Sequence, residues 1–195
     1  MIRVARRKAP RGFNEKVRRP GDLWLAKHPT SKKIPRYWLR VKAQVIAAFH
    51  QRCAYTAMWL STDGEVDHFI SLDEDRRKAF RWGNYRYAAP WLNRSKQHLR
   101  TSEMLDPFEV EDDWFELVIP SLELRITDRC PDEVRHRAEV MLDRLHLRNG
   151  EHVMRSRRAF YQQYRLGKVE LEHLDDVAPL LARAIRKKAA AEPPK

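Results

Sequence analysis

Two adjacent residues, Asp67 and His68, begin a set of side chains able to do chemistry on a phosphate ester. Asn84 follows sixteen residues after His68, Asn93 nine after that, and Lys96 three further on. His68 can take a proton from water, because an unperturbed imidazole titrates near neutral pH. Asp67 and Asn93 offer oxygen donors to a hard divalent cation such as Mg2+ or Mn2+, a sparse set that leaves room for phosphate oxygens and water. On an extended segment Asp67 points away from His68, so that base and cation take different sides. Asn84 can hydrogen-bond its neighbours and hold the His68 loop. Lys96, about one helical turn after Asn93, shares its side and can reach a phosphate. A base, a cation and phosphate-holding groups are what single-metal hydrolysis of a phosphodiester needs. Each residue alone has a plainer role. Asp-His pairs are common, Asn84 beside Gly83 suits a turn, Asn93 near a helix start suits a cap, and Lys96 suits a solvated surface. Their joint order and spacing carry the reading.

Such a set needs a strand under Asp67-His68 and a helix under Asn93. Thr62-Asp63-Gly64 is a turn signal, and Glu65 to Phe69 reads as a strand after it. Asp73 to Phe80 reads as a short helix broken by Gly83, and Tyr85 to Ala88 as a second strand. Pro90 suits the first turn of a helix that continues from Trp91 to Arg100. Upstream, Tyr37 to Gln51 is predicted helical, with Trp38, Val41, Val45, Ile46 and Phe49 at helical spacing and Lys42 interrupting the apolar stripe. Cys53 to Leu60 is short and apolar. Downstream, Trp114 to Ile119 and Leu122 to Ile126 alternate like a hairpin around Pro120-Ser121. Helices are predicted at Asp132 to Leu147, ended by Asn149-Gly150, at Glu151 to Arg165, and from about Asp176 to Ala191 with Pro179 in the first turn. The last of these frays into Glu192-Pro193-Pro194-Lys195.

The expected fold class is α+β: a small strand-and-helix core in a mainly helical domain, with a second hairpin and a basic N-terminal arm. Residues 1–36 form the arm, punctuated by Pro10, Pro20, Pro29 and Pro35 and expected to be irregular. Residues 37–102 hold the core with its preceding helix, and residues 103–195 an acidic loop, the hairpin and the C-terminal helices.

Charge is concentrated in the arm. Residues 1–36 carry twelve Lys or Arg against Glu15 and Asp22, nearly all of the formal net charge of +12. A basic arm beside a near-neutral body is the footprint of nucleic-acid binding through phosphate contacts with little sequence discrimination. Arg6, Arg7, Lys8, Arg11, Arg18 and Arg19 are candidates in the arm, and Arg76, Arg77, Arg81, Arg86 and Arg94 extend the track near the core. DNA is the expected partner. From Glu103 to Glu116 the chain has seven carboxylates and no Lys or Arg. This segment reads either as a solvated loop or as a counterpart of the basic arm. Two cysteines, Cys53 and Cys130, stand 77 residues apart without a Cys-x-x-Cys pairing, which fits reduced thiols in a cytoplasmic protein. No apolar run approaches the ~20 residues a membrane span needs, and no apolar segment follows the basic N-terminus as in a secretory signal.

Residues 53–96 resemble the HNH (ββα-metal) endonuclease family. Its pattern is a Cys-x-x-Cys knuckle, Asp-His, Asn-Leu, then a second knuckle followed directly by Asn-x-x-Lys. The corresponding pieces here are Cys53-Ala54-Tyr55-Thr56, Val66-Asp67-His68-Phe69, Asn84-Tyr85 and Ala89-Pro90-Trp91-Leu92-Asn93-Arg94-Ser95-Lys96. The resemblance implies a ββα-metal core and a metal-dependent DNA endonuclease. His68, Asn84 and Lys96 are its catalytic set, and Asp67 and Asn93 its ligands to one Mg2+ or Mn2+. Thr56, Ala89 and Leu92 stand where the family's other knuckle cysteines would be, so no structural zinc is expected. A small apolar cluster of Cys53, Ala89, Trp91 and Leu92 is expected in its place. Across residues 35–165 the order of elements more loosely resembles HNH subunits of Septu- and retron-type anti-phage systems, which implies a defence role and an ABC-type ATPase as partner. The alternative is a non-catalytic nucleic-acid-binding or interaction subunit of a larger complex.

Overall fold

Two four-residue strands form the centre of the fold, and a short helix follows them. The structure, a computed structural model, describes residues 1–96 and 99–191. Strand β1 (Glu65–His68) pairs antiparallel with β2 (Tyr85–Ala88), with Glu65 opposite Ala88, Asp67 opposite Arg86 and His68 opposite Tyr85. Between them the predicted helix at 73–80 reduces to a single 3-10 turn, Arg76–Lys78, started by the Asp75 carboxylate accepting from the Arg77 amide. Helix α3 (Pro90–Ser95) comes directly after β2, with proline in its first turn. The predicted extension to Arg100 crosses positions 97 and 98, which lie outside the described residues, as do 192–195 at the far end.

The N-terminal arm differs from the expectation of irregular chain. Asn14–Arg18 forms a π-helical turn that runs into α1 (Arg19–Lys27). Pro20 occupies the first turn of α1, where its missing N–H costs nothing. Gly21 lets the helix lie on Phe80, a side chain fully removed from solvent. A Cβ at position 21 would stand 2.1 Å from Phe80 Cγ. Tyr37–Val41 is a 3-10 turn that leads into α2 (Lys42–Ala48), so the predicted helix across 37–51 is shorter and tighter than its apolar spacing suggests. The following turn, Cys53–Met58, is buried, and its Ala54 amide donates to the Tyr87 carbonyl at 2.8 Å, fastening it to β2. Cys53, Ala89 and Leu92 are buried in the core, Trp91 packs against it, and both cysteines are free.

The C-terminal part wraps the second hairpin, β3 (Phe115–Val118) with β4 (Glu123–Ile126), Leu117 opposite Leu124. Helix α4 (Asp132–Arg144) buries Ala138, Met141 and Leu142, and α5 (Glu151–Arg165) follows. Gly150 starts α5 as its N-cap rather than ending α4. A helix with no predicted counterpart, α6 (Leu171–Val177), ends just before the final predicted helix, expected from about Asp176 and found as α7 (Pro179–Ala191). The two are separate because Ala178 precedes a proline and is forced out of helical geometry, at φ −153°. Arg157, 2% exposed, donates to the carbonyls of Leu122, Leu147 and Arg148 and so ties α5 to the hairpin. Burial lowers its pKa to about 10, which leaves it charged at neutral pH. Residues from all three parts of the chain, from Met1 to Ile185, share one hydrophobic core. Among the described residues no helix is long and apolar enough to cross a membrane.

Gly21→Ala is expected to destabilise the fold by about 1–3 kcal/mol, the usual cost of overpacking a well-filled interface. Urea unfolding of the two proteins checks this; equal midpoints would show that α1 does not dock on Phe80.

Candidate functional site

The pleat of β1 sends Glu65 and Asp67 to one face and Val66 and His68 to the other. The two faces have different chemistry.

On the first face Asp67 is buried at 3% exposure. The Tyr55 hydroxyl donates to its Oδ2 at 2.5 Å, and the Lys96 ammonium donates to both carboxylate oxygens at 2.9 Å. Lys96 also reaches the carbonyls of His68 at 2.6 Å and Phe69 at 3.1 Å. Burial, followed by the Asp67 charge and hydrogen bond, pushes the Tyr55 pKa well up, so Tyr55 stays a protonated donor. Tyr55 sits in the tight Cys53–Met58 turn. Nothing in its sequence neighbourhood singles it out, because only the fold brings that turn under β1. One turn before Lys96, Asn93 donates from Nδ2 to Glu65 Oε2 at 2.9 Å. Helix α3 therefore spans the Glu65–Asp67 face, with Asn93 at one end and Lys96 at the other. Glu65 is a second residue whose role its sequence context does not reveal. Lys96, expected to reach a phosphate, is instead 6% exposed and turned inward, because the buried carboxylate needs its charge.

His68 lies on the opposite face and is partly exposed. Its Nε2 is 2.9 Å from the Ala79 carbonyl and must carry the proton to donate to it. Nδ1 is left with its lone pair and has no partner among the described residues. The rings of Trp38 and Tyr85 meet the imidazole edge-on, with centroids at 4.8 and 5.3 Å. Burial lowers the His68 pKa below its ordinary 6.5; the Lys96 charge lowers it further, while Asp67 and the Ala79 bond oppose the shift. The ring is thus a neutral acceptor at pH 7. Asn84, 4% exposed, closes the loop behind it. Its Oδ1 accepts from the Ile70 amide at 2.7 Å, and its Nδ2 donates to the carbonyls of Ile70 and Lys78 at 3.0 and 3.1 Å.

The basic residues divide into two groups. Arg86 is 1% exposed, held by Asp106 through its Nε–Nη2 edge at 2.7–3.0 Å, with Nη1 donating to the carbonyls of Gly83 and Tyr85 at 2.9 Å, and stacked over Phe108 at 3.7 Å. It is a core residue, a correction to its expected place in a nucleic-acid track. Arg76 donates to the carbonyls of Ser31 and His28, and Arg81 pairs with Asp22 at 2.7 Å, so both fasten the arm to the loop after β1. Arg18 faces the same Asp22 at 3.8 Å, and Arg77 pairs with Asp75. At the N-terminus Arg3 pairs with Glu111, Arg6 pairs with Glu109 and approaches Asp106, and the Val4 amide donates to Pro107. The acidic segment is in part the partner of the arm. Arg7 stands 3.5 Å from the His50 ring nitrogen. Lys8, Arg11, Arg19 and Arg94 are exposed and have no ionic partner among the described residues. Lys32, Lys33 and Arg36 are likewise exposed with no ionic partner among the described residues, and Lys78 is exposed within reach of the Asp75 charge; all four belong to the two segments that wall His68. Trp38, Ala79 and the Arg76 bonds to His28 and Ser31 fix these segments beside the imidazole.

Among the described residues no three or more His, Cys, Asp or Glu side chains group to hold a metal ion. Compared with known proteins, the chain matches no family model and no curated protein sequence.

The depressed His68 pKa has a thermodynamic sign. The unfolded chain binds the proton more readily, so stability rises with pH through the window below 6.5 and is lost as pH falls. Urea unfolding at pH 7 and pH 5 should show a smaller acid-induced loss for His68→Gln than for the wild type. An equal loss in both would show that His68 is not held neutral by the fold.

Proposed function

We propose that this protein is a metal-dependent endonuclease of the HNH type that hydrolyses phosphodiester bonds in DNA, with His68 as general base. One observation carries the reading. At the end of β1 a neutral imidazole is oriented by a backbone carbonyl, with its second nitrogen unpartnered among the described residues. The loop behind it is pinned by an asparagine, and a helix bearing Asn93 crosses the other face of the same strand. A general base needs this combination: a fixed tautomer, an available lone pair, and a pKa no higher than the working pH.

The chain's residues divide the work. His68 Nδ1 accepts a proton from the attacking water, and Ala79 keeps the ring in the tautomer that leaves that nitrogen basic. Asn84 holds the loop so that the ring does not swing. Lys32, Lys33, Arg36 and Lys78 supply charge for the phosphate backbone on either side. On the α3 face, Asp67 and the Oδ1 of Asn93, which has no partner among the described residues, are oxygen donors suited to Mg2+ or Mn2+. In type the set fits a hard cation, though the Asp67 carboxylate is already neutralised by Lys96. A cation bound there would stabilise negative charge developing on the phosphate and the leaving oxygen.

A second reading, a nucleic-acid-binding subunit without catalysis, draws on that same closed ion pair. Cleavage of supercoiled plasmid separates the two. Nicking that requires Mg2+ or Mn2+ and falls at least about 100-fold in His68→Ala is the expected result, the usual contribution of a positioned base. Undiminished cleavage by His68→Ala in a preparation free of contaminating nuclease would remove the assignment.

The charge distribution makes a separate prediction for binding. In a His68→Ala background, Lys32→Ala/Lys33→Ala/Arg36→Ala should weaken duplex DNA binding several-fold. It should also flatten the salt dependence by about 0.9 in log–log slope for each phosphate no longer neutralised. Arg3→Ala/Arg6→Ala should do much less, since both arginines are already paired. Fluorescence anisotropy across a salt series decides between them, and the reverse order would place the DNA on the N-terminal segment instead.

A further inference from the structure

The Lys96 ammonium sits in a cage of oxygens. Asp67 Oδ1 and Oδ2 lie at 2.9 Å, the His68 carbonyl at 2.6 Å and the Phe69 carbonyl at 3.1 Å. An ammonium has three protons for these four oxygens, so part of the interaction is charge attraction without a dedicated hydrogen bond. One carboxylate and two main-chain carbonyls converging on a point are the donors that hard cations take. The cage is dry, with the Lys96 and Asp67 side chains 6% and 4% exposed. It is also held from behind, because Tyr55 fixes Asp67 Oδ2 through a bond that does not involve Lys96. A carboxylate in this position cannot stay charged without a positive partner.

We infer that Lys96 is the resident cation of this cage, and that a divalent ion engages Asp67 only by taking the place of the ammonium. The inference rests on the nuclease reading for Asp67 as the metal-binding carboxylate. Exchange, rather than simple occupation, then sets the metal affinity. The ion must supply the charge Lys96 withdraws, and Lys96, on a flexible four-carbon stem at the end of α3, must reach water. The two carbonyls come from the residue of the proposed base and the one after it. Filling the cage therefore bears directly on the end of β1 where His68 is held. Neutralising residue 96 removes the competitor and leaves Asp67 with an unmet charge.

The test is Mn2+ binding to the full chain, read from the electron paramagnetic resonance signal of free Mn2+, together with thermal unfolding with and without Mn2+. Lys96→Met should lose stability in metal-free buffer, bind Mn2+ at least tenfold more tightly than the wild type, and regain thermal stability as Mn2+ is added. Lys96→Gln keeps an N–H donor for Asp67 without the charge and serves if Lys96→Met does not fold; its increase in affinity should be of the same order. Asp67→Asn/Lys96→Gln should abolish that increase. Mn2+ affinities of Lys96→Met and Lys96→Gln within twofold of the wild type would overturn the exchange, even if wild-type cleavage proves to depend on His68. Tightened binding that vanishes with Asp67→Asn would uphold it, even if no cleavage is found and the nuclease reading falls.

Discussion

Asp67 stands directly across from Arg86 in the central hairpin, and the two opposite charges do not pair with each other. Each is buried and held by a partner from elsewhere, Asp67 by Lys96 of the segment after β2 and Arg86 by Asp106 of the acidic segment. A hairpin of two four-residue strands is not stable by itself in water. Here its polar face is closed by ion pairs whose rupture would strand a charge in the core, a loss of about 3–5 kcal/mol for each partner removed. The positions of α3 and of the acidic segment both follow from this demand. Tyr55 is drawn in as well, since the carboxylate has lone pairs left after Lys96 is bound.

The same hairpin separates two environments by the thickness of one strand. His68 and Asp67 are neighbours in sequence and point opposite ways. The imidazole is surrounded by Trp38, Tyr85 and the Ala79 carbonyl, and the carboxylate by an ammonium and a phenol. One side suppresses positive charge on a base while the other stores a cation against an acid. In the proposed nuclease this separation keeps the imidazole from pairing directly with the Asp67 carboxylate, which would stabilise its protonated form, and it leaves the ammonium as the group that responds when a divalent ion arrives.

Net charge overstates the surface open to a polyanion. Much of the basic content of the arm and loop is internal fastening: Arg3 and Arg6 on the acidic segment, Arg76 on the carbonyls of residues 28 and 31, Arg81 on Asp22. The cations left over cluster where the arm passes His68 and along α1. Burial of Arg86 and Arg157 in the core shows the same economy, since each guanidinium is satisfied by carbonyls or a carboxylate and packs as a large flat side chain.

Strand β1, strand β2, the proline-started α3, the second hairpin and α5 are all readable from local pattern, because turn residues, alternation and helix-start signals act over a few positions. The spacing of Asn93 and Lys96 likewise places both on one side of α3, and both do face β1. The arm misleads, because Pro20 reads as a break in regular structure when in fact it suits a first turn, and Gly21 beside it makes room for Phe80. Long-range partners leave no mark on local sequence. Tyr55 lies twelve residues before Asp67 and Asp106 twenty after Arg86, and nothing near either announces the pairing. Residue types and their intervals are enough to nominate the imidazole, the carboxylate and the asparagines. Which of them faces water and which is sealed against a lysine depends on which surfaces pack, and burial of a charge is a property of the whole fold.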